Sequence, residues 1–165
     1  METPKYVVNV EDVKPLEMSR GKFAITSRRL AGAAGAQKLG CSVWEIAPGK
    51  TSFPTHWHAA NEEGLFVLSG TGEARIGGVP HPIRAGDYVA FPVGPEHAHQ
   101  VVNTGAETLR FLGISTALLP EVVGYPDSQK LVARTTVPVP GAPPAAGTGG
   151  IFKLASNVDY WDGET

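Results

Sequence analysis

The chain has 165 residues, about one domain's length, and its 20 glycines and 14 prolines fill about a fifth of the positions. That density of backbone breakers excludes a helical bundle or a long coiled coil, while 42% hydrophobic residues are enough for one core and exclude a disordered chain. Charged residues are only 18% and the net charge is −2 without a block of like charges, so the basic footprint of a nucleic-acid binder is missing.

No stretch approaches the ~18 consecutive apolar residues of a membrane span. The opening Met1-Glu2-Thr3-Pro4-Lys5 lacks the apolar region of a secretory signal. The one cysteine, Cys41, makes no intrachain disulfide and suits a reducing compartment, so a cytoplasmic protein is expected. In chain order, Tyr6–Val10 reads as a short strand, Met18–Arg29 has no firm period, and Ala31–Gly40 reads as a small-residue loop. Cys41 opens a strand and reads as a buried structural thiol.

From Cys41 onward, short apolar runs alternate with turn signals at intervals of about eight to twelve residues, the signature of an all-β sandwich or barrel. The expected strands are Ser42–Ala47, Phe53–His58, Glu63–Leu68, Glu73–Ile76, Val79–Ile83, Tyr88–Phe91, His99–Asn103 and Thr108–Ser115. Pro48-Gly49, Ser69-Gly70-Thr71-Gly72, a Gly77-Gly78 hairpin turn, Ala85-Gly86-Asp87, Pro92–Pro95 and Thr104-Gly105 punctuate them. No segment between Cys41 and Thr116 carries a helical period. Three regions follow: an N-terminal arm and loop (1–40), a β-barrel core (41–117), and a C-terminal arm (118–165).

The Glu63–Leu68 run is apolar on both faces, with Leu65 and Val67 on one and Phe66 and Leu68 on the other. Such a strand is covered twice, so a terminal arm or a second subunit must supply the outer cover, and a homodimer is expected. Leu118–Val132 reads as a turn-rich arm and Pro138–Gly150 as a Pro/Gly-rich linker. Ile151–Leu154 and Val158–Trp161 then bring aromatic clusters expected to dock on the domain or its neighbour.

All five histidines (His56, His58, His81, His97, His99) fall in one β-rich quarter of the chain. His56-Trp57-His58 on a strand places both imidazoles on one face, because strand side chains alternate. A carboxylate a few residues on and a further histidine from a distant strand would complete a set of three histidines and one glutamate. Nitrogen and carboxylate donors without thiolate suit Fe, Mn, Ni, Cu, Co or Zn. By contrast His81, beside Pro82, reads as an ordinary surface residue, Glu62 as a solvent-facing neighbour of Glu63, and Trp57 as packing.

His56-X-His58-X4-Glu63-X6-Gly70 resembles the first motif of the cupin superfamily. Gly86-Asp87-Tyr88-Val89-Ala90-Phe91-Pro92-Val93-Gly94, followed by His99-Gln100-Val101-Val102-Asn103, resembles the second. The resemblance covers about Val43 to Thr116 and the Tyr125–Ser128 arm. It implies an all-β, antiparallel jelly-roll barrel with one divalent transition metal ion per chain, held by His56, His58, Glu63 and a histidine of the second motif.

Two departures stand out. Six residues separate Gly49 from His56, one more than usual, and the second motif is stretched. The P-x-G-x2-H spacing selects His97, whereas the H-x3-N spacing selects His99; His99 is favoured because it opens a strand-like run.

The fold implied by this resemblance hosts dioxygenases, oxalate enzymes, sugar isomerases and epimerases, lyases, storage proteins and transcription-factor sensor domains, so it does not fix function. The expected function is a metalloenzyme acting on a small molecule. Fe- or Mn-type dioxygenase chemistry on an enol, catechol or organic acid comes first, with Glu63 as ligand and catalytic base. The alternatives are an isomerase or lyase, or a non-catalytic small-ligand module. Neither nucleic acid nor membrane is an expected partner.

Overall fold

The computed structural model describes residues 6–136 and 149–164. Turn glycines and short apolar runs produce thirteen strands and little helix among them. Strands β1 (Leu16–Arg20) and β2 (Phe23–Arg29) lead through a single helical turn, α1 (Leu30–Ala33), into β3 (Leu39–Ile46). Next come β4 (Trp57–His58), β5 (Glu63–Ser69), β6 (Thr71–Ile76), β7 (Val79–Arg84) and β8 (Tyr88–Phe91). The chain continues with β9 (His99–Val102), β10 (Leu109–Thr116), β11 (Glu121–Tyr125), β12 (Lys130–Arg134) and β13 (Gly149–Lys153).

The strands form a six-stranded sheet in the order β1-β2-β3-β10-β5-β8, a three-stranded sheet β7-β6-β9, and a four-stranded sheet β13-β12-β11-β4. Every ladder within them is antiparallel. Thr51 links the first two by pairing with Phe23 of β2 and with Val102 of β9. The class is all-β, as the turn pattern requires, although these ladders do not run on as one closed ring.

Cross-strand register explains the core. In the six-stranded sheet Ser27, Trp44, Phe111 and Val67 share one row, and Ser42, Gly113, Leu65 and Val89 the next. Their inward side chains meet Ala74, Ile83 and Val101 of the three-stranded sheet in a single buried cluster with Ile25, Ile46, Phe91 and Leu109. Full burial of an aliphatic side chain stabilises by about 1.5–3 kcal/mol, so this cluster is the main source of stability. Asn103 is fully buried behind β9. Its Nδ2 donates to Ile46 O (2.7 Å) and Glu107 O (2.8 Å), and its Oδ1 accepts from Gly105 N (2.9 Å), which closes the turn into β10.

Several local expectations change. Tyr6–Val10 is not a strand: Asn9 caps a 3₁₀ turn at Val10–Asp12 through Oδ1, which accepts from Glu11 N. The periodless Met18–Arg29 stretch overlaps two strands; β1 is exposed along its whole length, so alternation has no buried face to mark. The Ala31–Gly40 loop includes most of α1 and the start of β3. Within Phe53–His58 only Trp57–His58 is a strand.

The break expected over four residues narrows to Gly70, where φ is +81° and a Cβ would lie 2.6 Å from the Thr108 carbonyl oxygen. The Gly77-Gly78 hairpin turn is present, with positive φ at both glycines. Leu118–Val132 is largely β structure rather than a turn-rich arm, since β11 and β12 pair through a Pro126–Ser128 3₁₀ turn. Most of the Pro138–Gly150 linker lies outside the described residues. Beyond it β13 pairs with β12 through backbone, while Phe152, Tyr160 and Trp161 stay exposed on this chain.

Candidate metal centre

The first two histidine positions are set by backbone. His56 N donates to His99 O (3.1 Å) and His99 N to His56 O (2.8 Å), a closed antiparallel pair that aims both side chains to one side. His58 follows on that face, held at β4 by its pairing with Val123 of β11. Glu63 opens β5 opposite Phe91, whose ring stacks on His99 at 4.1 Å. Together His56, His58, Glu63 and His99 place one donor atom each within 4.8 Å of one another.

The rings are oriented from outside the cluster. His56 Nδ1 lies 2.9 Å from Pro54 O, and His99 Nδ1 lies 3.1 Å from His97 O. His58 Nδ1 faces Glu121 Oε2 at 3.5 Å. A Nδ1–H aimed at an acceptor leaves Nε2 unprotonated and turned inward, the tautomer a metal ligand needs. Glu63 Oε2 lies 3.4 Å from His58 Nε2 and 3.3 Å from His99 Nε2.

Both His58 ring nitrogens are buried without an aligned hydrogen bond. Buried imidazole nitrogens left in that state, beside two more imidazoles and a carboxylate, fit a divalent transition ion in place of the missing partner.

Burial, with the nearby His99 charge, pushes His56 down to about 4 and keeps it neutral at neutral pH. Burial works against the charged form of His58 too, but the close Glu63 carboxylate, helped by Glu121, raises it above its ordinary value. Burial likewise opposes the Glu63 carboxylate, yet His58 and His99 hold it well below the usual carboxylate range. Glu63 is therefore ionised.

The other candidates separate cleanly in space. His97 ends a 3₁₀ turn with a side chain 36% exposed, 3.7 Å from Glu96, and is outside the cluster. Glu62 is exposed, and His81 lies exposed on β7. Trp57 packs flat against Gly124, its cross-strand partner. Cys41 is half-buried beside the cavity, and burial raises its thiol, in keeping with a structural role.

Two supporting residues had no marker in the sequence. Glu121 is fully buried on β11; its Oε1 accepts from Ala59 N (3.1 Å) and Ala60 N (3.2 Å), and its Oε2 accepts from Asn61 Nδ2. Asn61 Oδ1 in turn accepts from Leu118 N at 2.6 Å. The alternation Glu121, Val123, Tyr125 was the one available clue, since it puts the carboxylate on the same face as two apolar side chains.

The cluster forms one wall of a cavity of about 390 Å³, within the range of small-molecule sites. Trp44, Phe53, Phe111 and Val123 make it largely apolar. Tyr125 also lines it, stacked on His56 at 5.9 Å, and burial followed by the Glu63 charge raises its phenol against the pull of Arg134.

The molecule is thus an all-β protein that gathers three histidines and a glutamate at the wall of a largely apolar cavity. Residues 42–115 match the cupin domain family, and over that span the chain has a cupin domain.

Protein SchB of Streptomyces halstedii is 29% identical over 126 residues, which cover 75% of this chain and 87% of that protein. Among solved structures, a putative sugar phosphate isomerase from Acidithiobacillus ferrooxidans superposes with a TM-score of 0.79 and 28% identity, covering 94% of this chain and 96% of its own. The polyketide cyclase RemF from Streptomyces resistomycificus superposes with a TM-score of 0.58 and 26% identity, covering 70% and 82%. Among the described residues no helix is long and apolar enough to cross a membrane.

Proposed function

We propose that this protein is a metal-dependent enzyme acting on a small, oxygen-rich organic molecule, with His56, His58, Glu63 and His99 holding one divalent transition metal ion. The convergence of these four donors within 4.8 Å at the wall of the cavity carries the reading. A bound divalent ion supplies Lewis acidity toward a hydroxy-carbonyl, enol or carboxylate group.

The chain's own residues do the rest. His56 stays neutral and available as a donor, and Phe91 and Pro54 fix the His99 and His56 rings. Glu63 holds a negative charge at the cavity wall, and because His58 and His99 make it a weak base it takes up a proton only from a substrate group acidified toward its own range. Tyr125, kept protonated, offers a hydroxyl donor to a substrate oxygen.

Proton movement without net oxidation, as in an isomerase or lyase, is the reading favoured over dioxygenase chemistry. Its support is the similarity over 94% of the chain to a putative sugar phosphate isomerase, and the further similarity to a polyketide cyclase. A second copy of the chain is assigned to the exposed Phe66 and Leu68 face of β5.

The test combines elemental analysis after reconstitution with Fe, Mn, Co, Ni, Cu and Zn, oxygen consumption, and solvent-deuterium exchange into hydroxy-carbonyl compounds followed by NMR. One ion per chain with metal-dependent exchange and no oxygen uptake is the expected result. Oxygen uptake restores the dioxygenase reading, and failure to take up any metal overturns both.

A further inference from the structure

We infer that the substrate carries an anionic group, phosphate or carboxylate, that Arg29 and Arg134 bind at a distance from the metal-ligating quartet. The inference rests on the quartet being the reacting end of the cavity. Arg29 lies on β2, with Ile25 and Ser27, both buried, before it at alternate positions of the inner face. Arg134 ends β12 in the four-stranded sheet. Two separate sheets thus each bring a guanidinium to the same cavity wall.

Three of the other arginines are matched with carboxylates, whereas Arg20 and Arg84, also without an ion pair among the described residues, do not line the cavity. Arg28, one residue before Arg29 and on the opposite face, reaches Glu45 at 3.4 Å. Arg75 reaches Glu73 at 3.4 Å, and Arg110 reaches Glu45 at 3.2 Å. Among the described residues Arg29 and Arg134 make no ion pair, and Glu63 is the one carboxylate that lines the cavity. Glu63 is occupied by His58 and His99. Two guanidinium groups facing a largely apolar cavity without a counter-charge leave that part of the site positive. A planar five-donor fork is the group best suited to grip a carboxylate or phosphate.

The register sets the scale. Arg29 pairs with Ser42, Ser42 with Gly113, and Gly113 with Leu65, so Arg29 stands three strands from β5. At ~4.8 Å per strand its Cα is about 14 Å from that of Leu65, two residues beyond Glu63. A molecule of several carbons fits between a reacting oxygen at the quartet and an anion at the arginines. Arg134 stands nearer, close enough to Tyr125 for its charge to favour the ionised phenol.

Isothermal titration of inorganic phosphate and of succinate into the full chain, metal-free and metal-loaded, tests this with R29Q, R134Q and the double variant. Both arginines are at least partly exposed, so the variants should fold, and unchanged thermal midpoints check that. Metal content is measured in parallel. Each single variant is expected to lose about tenfold in anion affinity and the double variant to lose binding altogether, with metal content unchanged. A tenfold preference for phosphate over succinate assigns a phosphorylated substrate, and the reverse assigns a carboxylate.

Equal affinity in wild type and double variant, or no anion binding by wild type, overturns the inference. A chain that takes up no metal but loses anion binding with the arginines keeps the inference and removes the proposed chemistry.

Discussion

The motif strands and the C-terminal hairpin build one cavity by different means. β4, β5 and β9 place the quartet through backbone pairs, such as the closed His56–His99 ladder, and the cross-strand row that ends at Phe91. β11 and β12 contribute Glu121, Tyr125 and Arg134 from a sheet that meets the motif strands only at β4. The motif strands are anchored by a buried apolar cluster, whereas the hairpin is anchored to the site by its backbone pairing with β4, by buried Val123 and by one buried carboxylate, Glu121. The donors, and the orientation of His56 and His99, thus belong to the motif strands and their loops, while the orientation of His58 and the Tyr125 and Arg134 side of the cavity come from the arm.

The sharpest way to break this comparison is Glu121. Glu121→Ala removes the acceptor for two backbone amides and for Asn61 Nδ2, and the carboxylate beside His58. The expected cost is about 2–3 kcal/mol in urea denaturation of the metal-free protein, because Ala60 N loses its acceptor in a part-buried site, while Ala59 N keeps Val122 O (2.9 Å) and Asn61 Nδ2 keeps Leu118 O (3.1 Å). Glu121→Gln keeps an acceptor oxygen and should cost less, yet it should still lower metal affinity about 10- to 100-fold by weakening the hold on His58. A Glu121→Ala protein within 1 kcal/mol of wild type would mean that the arm is fixed some other way.

The quartet should respond in the opposite sense, with metal lost and fold kept. His56→Ala combined with His58→Ala should abolish metal uptake. His99→Ala should cut it steeply, while His97→Ala, an exposed ring outside the cluster, should leave stoichiometry near one. Loss of metal in His97→Ala with retention in His99→Ala would reassign the fourth ligand. Acid provides a milder probe of the metal-free protein. His56 is shifted from 6.5 to about 4, so the unfolded chain binds the extra proton in that window and stability falls as pH drops through it. The raised His58 has the opposite sign, losing its contribution as pH rises above 6.5. A urea midpoint that is lower at pH 5 than at 6.5 in wild type, with a smaller drop in His56→Ala, is expected.

Much of this division was legible in the residues. Gly77-Gly78 and the alternation of Leu65 and Val67 pointed to a hairpin and an inner face, and the fold has both. His56, His58, Glu63 and His99 were readable together because two of them share a strand face and the others lie in recognisable spacings. Glu121 was not, since its partners lie some sixty residues earlier in the chain. Its burial is decided when β11 crosses β4, an event no local pattern encodes. β1 escaped for a simpler reason: a strand exposed on both faces has no period to read.

The smallest effect on folding, and the remaining contrast, belongs to the outer face of β5. Leu65 and Val67 are almost fully buried, but Phe66 is 40% exposed and Leu68 41% on the single chain. The neighbouring Tyr88, cross-strand from Phe66, is exposed too, so three apolar side chains lie on one side of the six-stranded sheet. Polar substitution on a truly solvated face changes stability by roughly half a kcal/mol or less. Phe66→Glu with Leu68→Glu should therefore leave the unfolding free energy of the dilute monomer near wild type. If a second copy covers the face, the same pair of charges would have to be desolvated in its centre, and interface cores are depleted of charge for that reason. Light scattering at micromolar concentration should then show a wild-type dimer and a monomeric double variant. Removal of everything after Val137 separates the two possible covers: a dimer that survives the truncation is built on β5, and one that dissociates depends on the exposed Phe152, Tyr160 and Trp161.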